Sequence, residues 1–166
     1  MFNKGDLVLY SAHGICRIDD ICDRTIANVT KSYYSLHPMD DRKLSICIPV
    51  DNERVTIQEL MTKEESENII ESFKFDGCEW IDIDNMRNVK YNEILKQGNR
   101  TEIAKIANTL MKKKFELESN SKKFHEKDKK ILQNIQNVLF SQLAFILNTT
   151  SEEIEGQINS HINCAK

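Results

Sequence analysis

Glycine and proline are scarce in this chain, 5 and 2 among 166 residues. So few turn-formers and chain-breakers exclude long disordered tracts. No apolar run approaches the ~20 residues that a membrane-spanning helix needs, and no membrane association is expected. The opening Met1-Phe2-Asn3-Lys4-Gly5-Asp6 lacks the basic-then-apolar layout of a secretory leader. Cysteine pairing is missing too. Cys16, Cys22, Cys47, Cys78 and Cys164 are odd in number, without a C-x-x-C spacing, which argues against a disulfide framework or a zinc site. Reduced thiols acting as small hydrophobes in a cytoplasmic protein are the expected use. The histidines, His13, His37, His125 and His161, are scattered, with no metal-ligand spacing. His13 with Cys16 has no orienting motif and no oxyanion-forming glycine turn, so His13 before Gly14 reads as a turn residue. No phosphate-cradling loop is present. The chain is expected to be no enzyme and to carry no cofactor or metal.

What is present divides into a β part and an α part. Leu7 to Tyr10 is a short apolar run, and Gly14 to Cys22 carries Ile15, Ile18 and Ile21 between polar residues. Lys31 to Leu36 holds Tyr33 and Tyr34, and Leu44 to Pro49 is compact and apolar. Short β-rich segments at close spacing predict a small barrel or curled sheet. Pro49 ends a strand or marks an edge, since proline cannot donate to a ladder. Val55 to Leu60 is ambiguous.

From Thr62 the period changes. Thr62-Lys63-Glu64-Glu65 is a capping box, and Ile69, Ile70 and Phe73 follow on one helical stripe. Asp76-Gly77 ends that stripe. A second helix is predicted from about Asp82 to Lys96, with Gly98 as its C-cap. Asn99 opens a third, with Ile103, Ile106, Ala107 and Leu110 inward, and Ser119-Asn120-Ser121 closes it. A long helix then carries Ile131, Leu132, Ile135, Val138, Leu139, Leu143, Ile146 and Leu147. Thr150 caps the last helix, with Ile154, Ile158 and Ile162. The fold class expected is α+β: residues 1–61 a small β domain, residues 62–166 an all-α domain.

Charge is partitioned more sharply than the net of −3 suggests. Over residues 66–85 Asp and Glu outnumber Lys and Arg by 6 to 1; over residues 86–130 Lys and Arg lead by 13 to 6. Clustered cations that neutralise phosphates release counterions, and that binding weakens in salt. Charge alone leaves a solvated helix face as the other reading. The acidic total argues against tight non-specific DNA binding by the protein on its own.

Gly5-Asp6-Leu7-Val8-Leu9-Tyr10-Ser11-Ala12-His13-Gly14-Ile15 is similar to the G-D-x-V-V-Y-x-x-H-G opening of the CarD/CdnL family, whose first domain is shared with transcription-repair coupling factors. Tyr33-Tyr34-Ser35-Leu36 and Leu44 to Val50 resemble the family's next segments. Trp80, Arg87, Tyr91, Leu95 and Gly98, then Asp128 to Leu147, resemble its helical half. The resemblance implies a Tudor-like β domain that docks on the RNA polymerase β subunit, partly by edge-strand pairing, and a helical domain that binds promoter DNA. It places polymerase contacts on Arg24 and Thr25, just after the second strand, with Ile26 beside them. A further contact, often basic in the family, falls on Cys47. It implies a monomer.

The same resemblance makes Trp80 a wedge in the minor groove at the upstream edge of the open promoter bubble, with Arg87, Lys90 and Lys129 on phosphates. A lone tryptophan is more commonly a core or inter-domain anchor. The stretch from Trp80 to Gly98 also exceeds the family pattern by roughly one helical turn, ~5 Å, so strict alignment moves the wedge to Asp84. Three functions stand. The chain is a regulator that stabilises the open complex, an adaptor on polymerase whose helices bind no DNA, or a small enzyme with an unrecognised site.

Overall fold

The computed structural model describes residues 1–10, 13–52 and 57–164. It divides the chain into two compact units, Met1–Leu60 and Met61–Lys166. The first is β and the second helical, an α+β protein.

Five strands build the first unit: β1 (Leu7–Tyr10), β2 (Gly14–Ile26), β3 (Val29–Pro38), β4 (Ile46–Pro49) and β5 (Ile57–Glu59). They lie antiparallel in the order β4-β3-β2-β1-β5. Among the described residues the sheet does not close into a barrel, and β4 and β5 form its edges. Pro49, the last residue of β4, therefore sits where its missing N–H costs no interior ladder bond. Val55 and Thr56, the start of the ambiguous segment, lie outside the described residues, as do Ser11 and Ala12 of the opening motif.

The second strand runs further than its apolar residues indicate, through polar Asp23, Arg24 and Thr25 to Ile26. A bulge explains its three-residue apolar spacing. The pairing shifts between Ile18, opposite Leu36, and Asp20, opposite Ser35. Strand side chains alternate with period two. One extra residue, Asp19, therefore returns Ile21 to the face that Ile18 occupies. That face holds the core of the unit: Val8, Cys16, Ile18, Tyr34, Leu36 and Ile48.

The second unit begins with α1 (Lys63–Ser72), and its capping box is fully formed. The Thr62 hydroxyl accepts from the Glu65 N–H at 3.1 Å, and the Glu65 carboxylate accepts from the Thr62 N–H at 2.7 Å. Next come α2 (Asp84–Gln97), which ends at Gly98 with φ 72°, and α3 (Arg100–Ser119), capped by the Asn99 side chain. The left-handed φ at Gly98 is one that a Cβ would strain.

The long helix expected after Ser121 has a defect in its middle. It is α4 (Glu126–Ile135), a π-helical turn at Gln136–Phe140, and α5 (Ser141–Ile146). Right-handed helical dihedrals persist on both sides of that turn, so the rod continues through it. The final helix is α6 (Ser151–Cys164), entered through a bond from the Glu153 N–H to the Thr150 hydroxyl. Phe73, Tyr91, Ile106, Leu110, Phe140, Leu143, Ile154 and Ile158 are all essentially sealed from solvent in one helical core.

Candidate functional site

Two surfaces collect the residues singled out by sequence, one on each unit. On the β unit it is the far half of the β2–β3 hairpin. Arg24, Thr25 and Ile26 are the last three residues of β2 itself, not residues beyond it, and they pair with Lys31, Thr30 and Val29. The hydroxyls of Thr25 and Thr30 lie 2.8 Å apart across the ladder. Ala27 and Asn28, at φ 50° and 61°, make the two-residue link. Two consecutive left-handed residues are what a type I′ hairpin turn requires.

This end of the hairpin is open on its flank. The pairing of β1 with β2 stops at Arg17, so no strand among the described residues covers the outer edge of β2 from Asp19 to Ile26. Ile26 and Val29 are themselves exposed at the tip. An uncovered edge with apolar side chains beside it is a template for strand addition.

Cys47 lies on edge strand β4, exposed and opposite Ser35. Cys22 sits two residues before Arg24, hence on the same face of β2. The fully exposed Arg24 guanidinium has its pKa raised by hydrogen bonding to Cys22, then by the nearby Cys47 and Cys22 sulfurs. Arg24, Cys47 and Ile26 thus share one face, while Thr25 points to the other by strand alternation. Cys22 was not singled out beforehand; its even spacing from Arg24 was the available signal.

On the helical unit the centre is Trp80, in the loop between α1 and α2. The loop is tied to α3: Asn108 donates to the Phe75 carbonyl at 2.9 Å and Thr109 to the Cys78 carbonyl at 2.9 Å. Gly77 is required by closeness, because a Cβ there would come within 2.2 Å of the Thr109 hydroxyl and 2.7 Å of the Lys105 carbonyl. Trp80 is half-buried against the helical core. The Arg87 guanidinium carbon stands 4.1 Å from its ring centre, and the Lys113 ammonium 5.3 Å. Both lie within cation–π range.

The resemblance puts Arg87 on a phosphate; in the structure its side chain is enclosed and paired with an acid. It is 3% exposed. Its Nε and Nη2 donate to the two Asp128 carboxylate oxygens at 2.9 and 2.6 Å, and Nη1 donates to the Ile81 carbonyl at 2.6 Å. Asp128 is as deeply buried. This bidentate bond outweighs burial and pushes the Arg87 pKa up, so the guanidinium is charged, paired and directed inward. Sequence offered a hint. Arg87 precedes the inward Tyr91 by four, and Asp128 precedes Ile131 and Leu132 by three and four, so a base and an acid each interrupt an apolar stripe.

The pair joins the Trp80 loop, α2 and α4 at one point. Around it His125 lies 3.3 Å from the Asp84 carboxylate, and Lys127 donates to the Asn85 side chain at 2.6 Å. Asp84, the position that strict alignment made the wedge, is thus the first residue of α2 and paired with a histidine. Lys90 and Lys129 are exposed. Tyr91, buried on α2, has its phenol pushed upward by burial and by its hydrogen bond with the Cys78 thiol, 3.5 Å away. Among the described residues no group of three or more His, Cys, Asp or Glu side chains could hold a metal ion, and no helix is long and apolar enough to cross a membrane.

An open-edged sheet followed by a helical unit with exposed lysines defines a two-part protein with a surface of a different kind on each part. Residues 2–61 match the CarD-like/TRCF RID domain, and residues 68–159 match the CarD C-terminal domain. The chain belongs to the CarD family. Its first unit is accordingly of the Tudor-like kind found in that RNA polymerase-interacting domain, a domain family that contacts the polymerase β subunit. The protein is an RNA polymerase-interacting transcription regulator. A comparison with curated proteins returned no match.

Proposed function

We propose that the β2–β3 hairpin, through Arg24, Thr25 and Ile26, and the adjoining strand β4, through Cys47, dock on the polymerase β subunit, and that the helical unit then contacts promoter DNA at the upstream edge of the bubble, stabilising the open complex. The observation that carries the DNA half is the cationic stretch of residues 86–130, with Lys90 and Lys129 free at its surface. Arg87 serves it from within. By binding Asp128 and the Ile81 carbonyl it holds the starts of α2 and α4 together, so both lysines are presented from a fixed frame. The acidic total of the chain gives weak DNA affinity alone. Docking supplies the local concentration that makes a weak contact effective. A protein that binds open DNA better than closed DNA by ~1.4 kcal/mol shifts opening tenfold.

The test is the lifetime of open complexes formed with cognate polymerase. Wild type is expected to prolong it, and Arg24→Glu to abolish the effect together with binding to the β subunit. Lys90→Glu with Lys129→Glu is expected to shorten it while β-subunit binding stays. Those two changes should also flatten the salt dependence, by ~0.9 in slope per lost phosphate contact. Full lifetime in the double lysine variant would leave an adaptor that binds no DNA.

A further inference from the structure

The outer face of the sheet gathers two thiols around one arginine. Strand alternation puts Cys22 and Arg24 of β2 on the face away from the core. The ladder continues across β3: Cys22 lies opposite Tyr33, and Ser35, on the same face as Tyr33, lies opposite Cys47 of β4. Cys47 is exposed and Cys22 half-buried. Among the described residues no ion pair takes up Arg24. The charges around it are already engaged: Lys31 with Asp51, Asp20 with Lys4, and Asp23 with the Ser32 hydroxyl. An unpaired cation beside an exposed thiol is thus left on the face.

The two thiols cannot pair with each other. With β3 between them and ~4.8 Å from strand to strand, their Cα atoms stand roughly 10 Å apart or more. A disulfide tolerates no more than ~7 Å. Nor do the other described thiols compete for an outside reagent. Cys16 is fully enclosed, its thiol pushed up to about 11 by burial and by Asp40. Cys78 is half-buried and bonded to the hydroxyls of Tyr91 and Thr109. A disulfide at Cys47 must therefore be made with an outside sulfur. Arg24 sets which kind: its charge attracts a small disulfide that carries carboxylates and repels a cationic one.

We infer that Cys47 is a modification site that forms a mixed disulfide with a carboxylate-bearing small disulfide received by Arg24, and that the adduct closes the docking face. The second half rests on the polymerase docking proposed above and adds its regulation. Cys47 gives its proton to solvent, and the thiolate attacks one sulfur of the reagent. The protein–reagent S–S bond forms as the reagent's own S–S bond breaks, and the departing thiolate takes up a proton. One protein thiol and one small disulfide thus become one mixed disulfide and one small thiol, with no further oxidant. A second small thiol reverses the step by the same exchange. While it lasts, the adduct occupies Arg24 and stands on edge strand β4, where a docking partner has to come.

Full-length wild type, Arg24→Gln, Arg24→Lys and Cys47→Ser should be treated with glutathione disulfide, which carries carboxylates, or with cationic cystamine, and the adducts mapped by peptide mass spectrometry. The adduct is expected on Cys47. The rate with glutathione disulfide divided by that with cystamine should be about fivefold higher in wild type and Arg24→Lys than in Arg24→Gln. That gap should narrow in salt. Treated wild type should bind the β subunit about tenfold more weakly than reduced wild type and recover with dithiothreitol, whereas treatment should leave Cys47→Ser as it was beforehand. An adduct on another cysteine, a Cys47-to-Cys47 dimer in its place, or a rate ratio indifferent to Arg24 overturns the site. A Cys47 adduct that leaves binding unchanged overturns the regulation. Reduced wild type without affinity for the β subunit overturns the docking itself, while the mapped adduct and the rate ratio still decide the chemistry.

Discussion

Truncating either Arg87 or Asp128 strands the other as an uncompensated charge in the helical unit, since both side chains are almost fully enclosed. Losing one partner of such a pair typically costs ~3–5 kcal/mol. Arg87→Ala and Asp128→Ala are each expected to lower the urea midpoint of the helical unit accordingly. Arg87→Met/Asp128→Leu should recover most of the loss, because both desolvation penalties vanish together. A phosphate-binding arginine would behave otherwise: its removal would leave the free protein's stability nearly unchanged and weaken DNA binding. Residue identity alone could not separate these roles. Arg87 and Lys90 are three residues apart on one helix; the spacing of Arg87 from Tyr91 hints at the inward one, and the partner forty-one residues later makes its enclosure possible.

At the scale of elements, local rules were legible wherever one residue type dictates geometry. The capping box at Thr62, the αL glycine at Gly98 and the caps at Asn99 and Thr150 all formed where their chemistry demands. Other features depend on partners distant in sequence. The polar end of β2 is a strand only because β3 returns beside it. The π turn is invisible to three-and-four spacing, because Ile135, Leu139 and Leu143 keep an ordinary interval through it. A π turn contains one residue more than the α turn it replaces. Deleting exposed Asn137 should therefore convert it to regular helix and leave the buried residues on either side facing the core. The expected result is a folded protein of unchanged helix content by circular dichroism, whereas deleting Gln133, within regular α4, should misalign Asp128 and Ile131 and lower the melting temperature sharply.

At the scale of the whole molecule, the two units have separate cores, so unfolding need not be a single step. Alkaline pH should resolve them. Cys16 is fully enclosed in the β unit, and burial, helped by Asp40, pushes its thiol from 9.0 to about 11. Between those values the unfolded chain gives up the proton first, so the native β unit loses stability as pH rises from about 9 to about 11. The loss amounts to ~2–3 kcal/mol. In the helical unit the corresponding decline, through Tyr91, starts about one pH unit higher, where an unfolded phenol titrates near 10. Urea melts at pH 8, 9, 10 and 11 should show the β transition moving first, and Cys16→Ala should hold it still. The family was legible in the ordered motifs of both units. The enclosure of Arg87 and the exposure of Ile83, Met86 and Val89 were not, since exposure is a property of the folded chain.

The solitary indole then has a practical use. It lies in the helical half with two cations beside its ring, so its emission is a native optical label for that half. Ultraviolet excitation at the red edge of the band follows the loosening of the Arg87 joint without dye, tag or added mutation, while the strands stay dark.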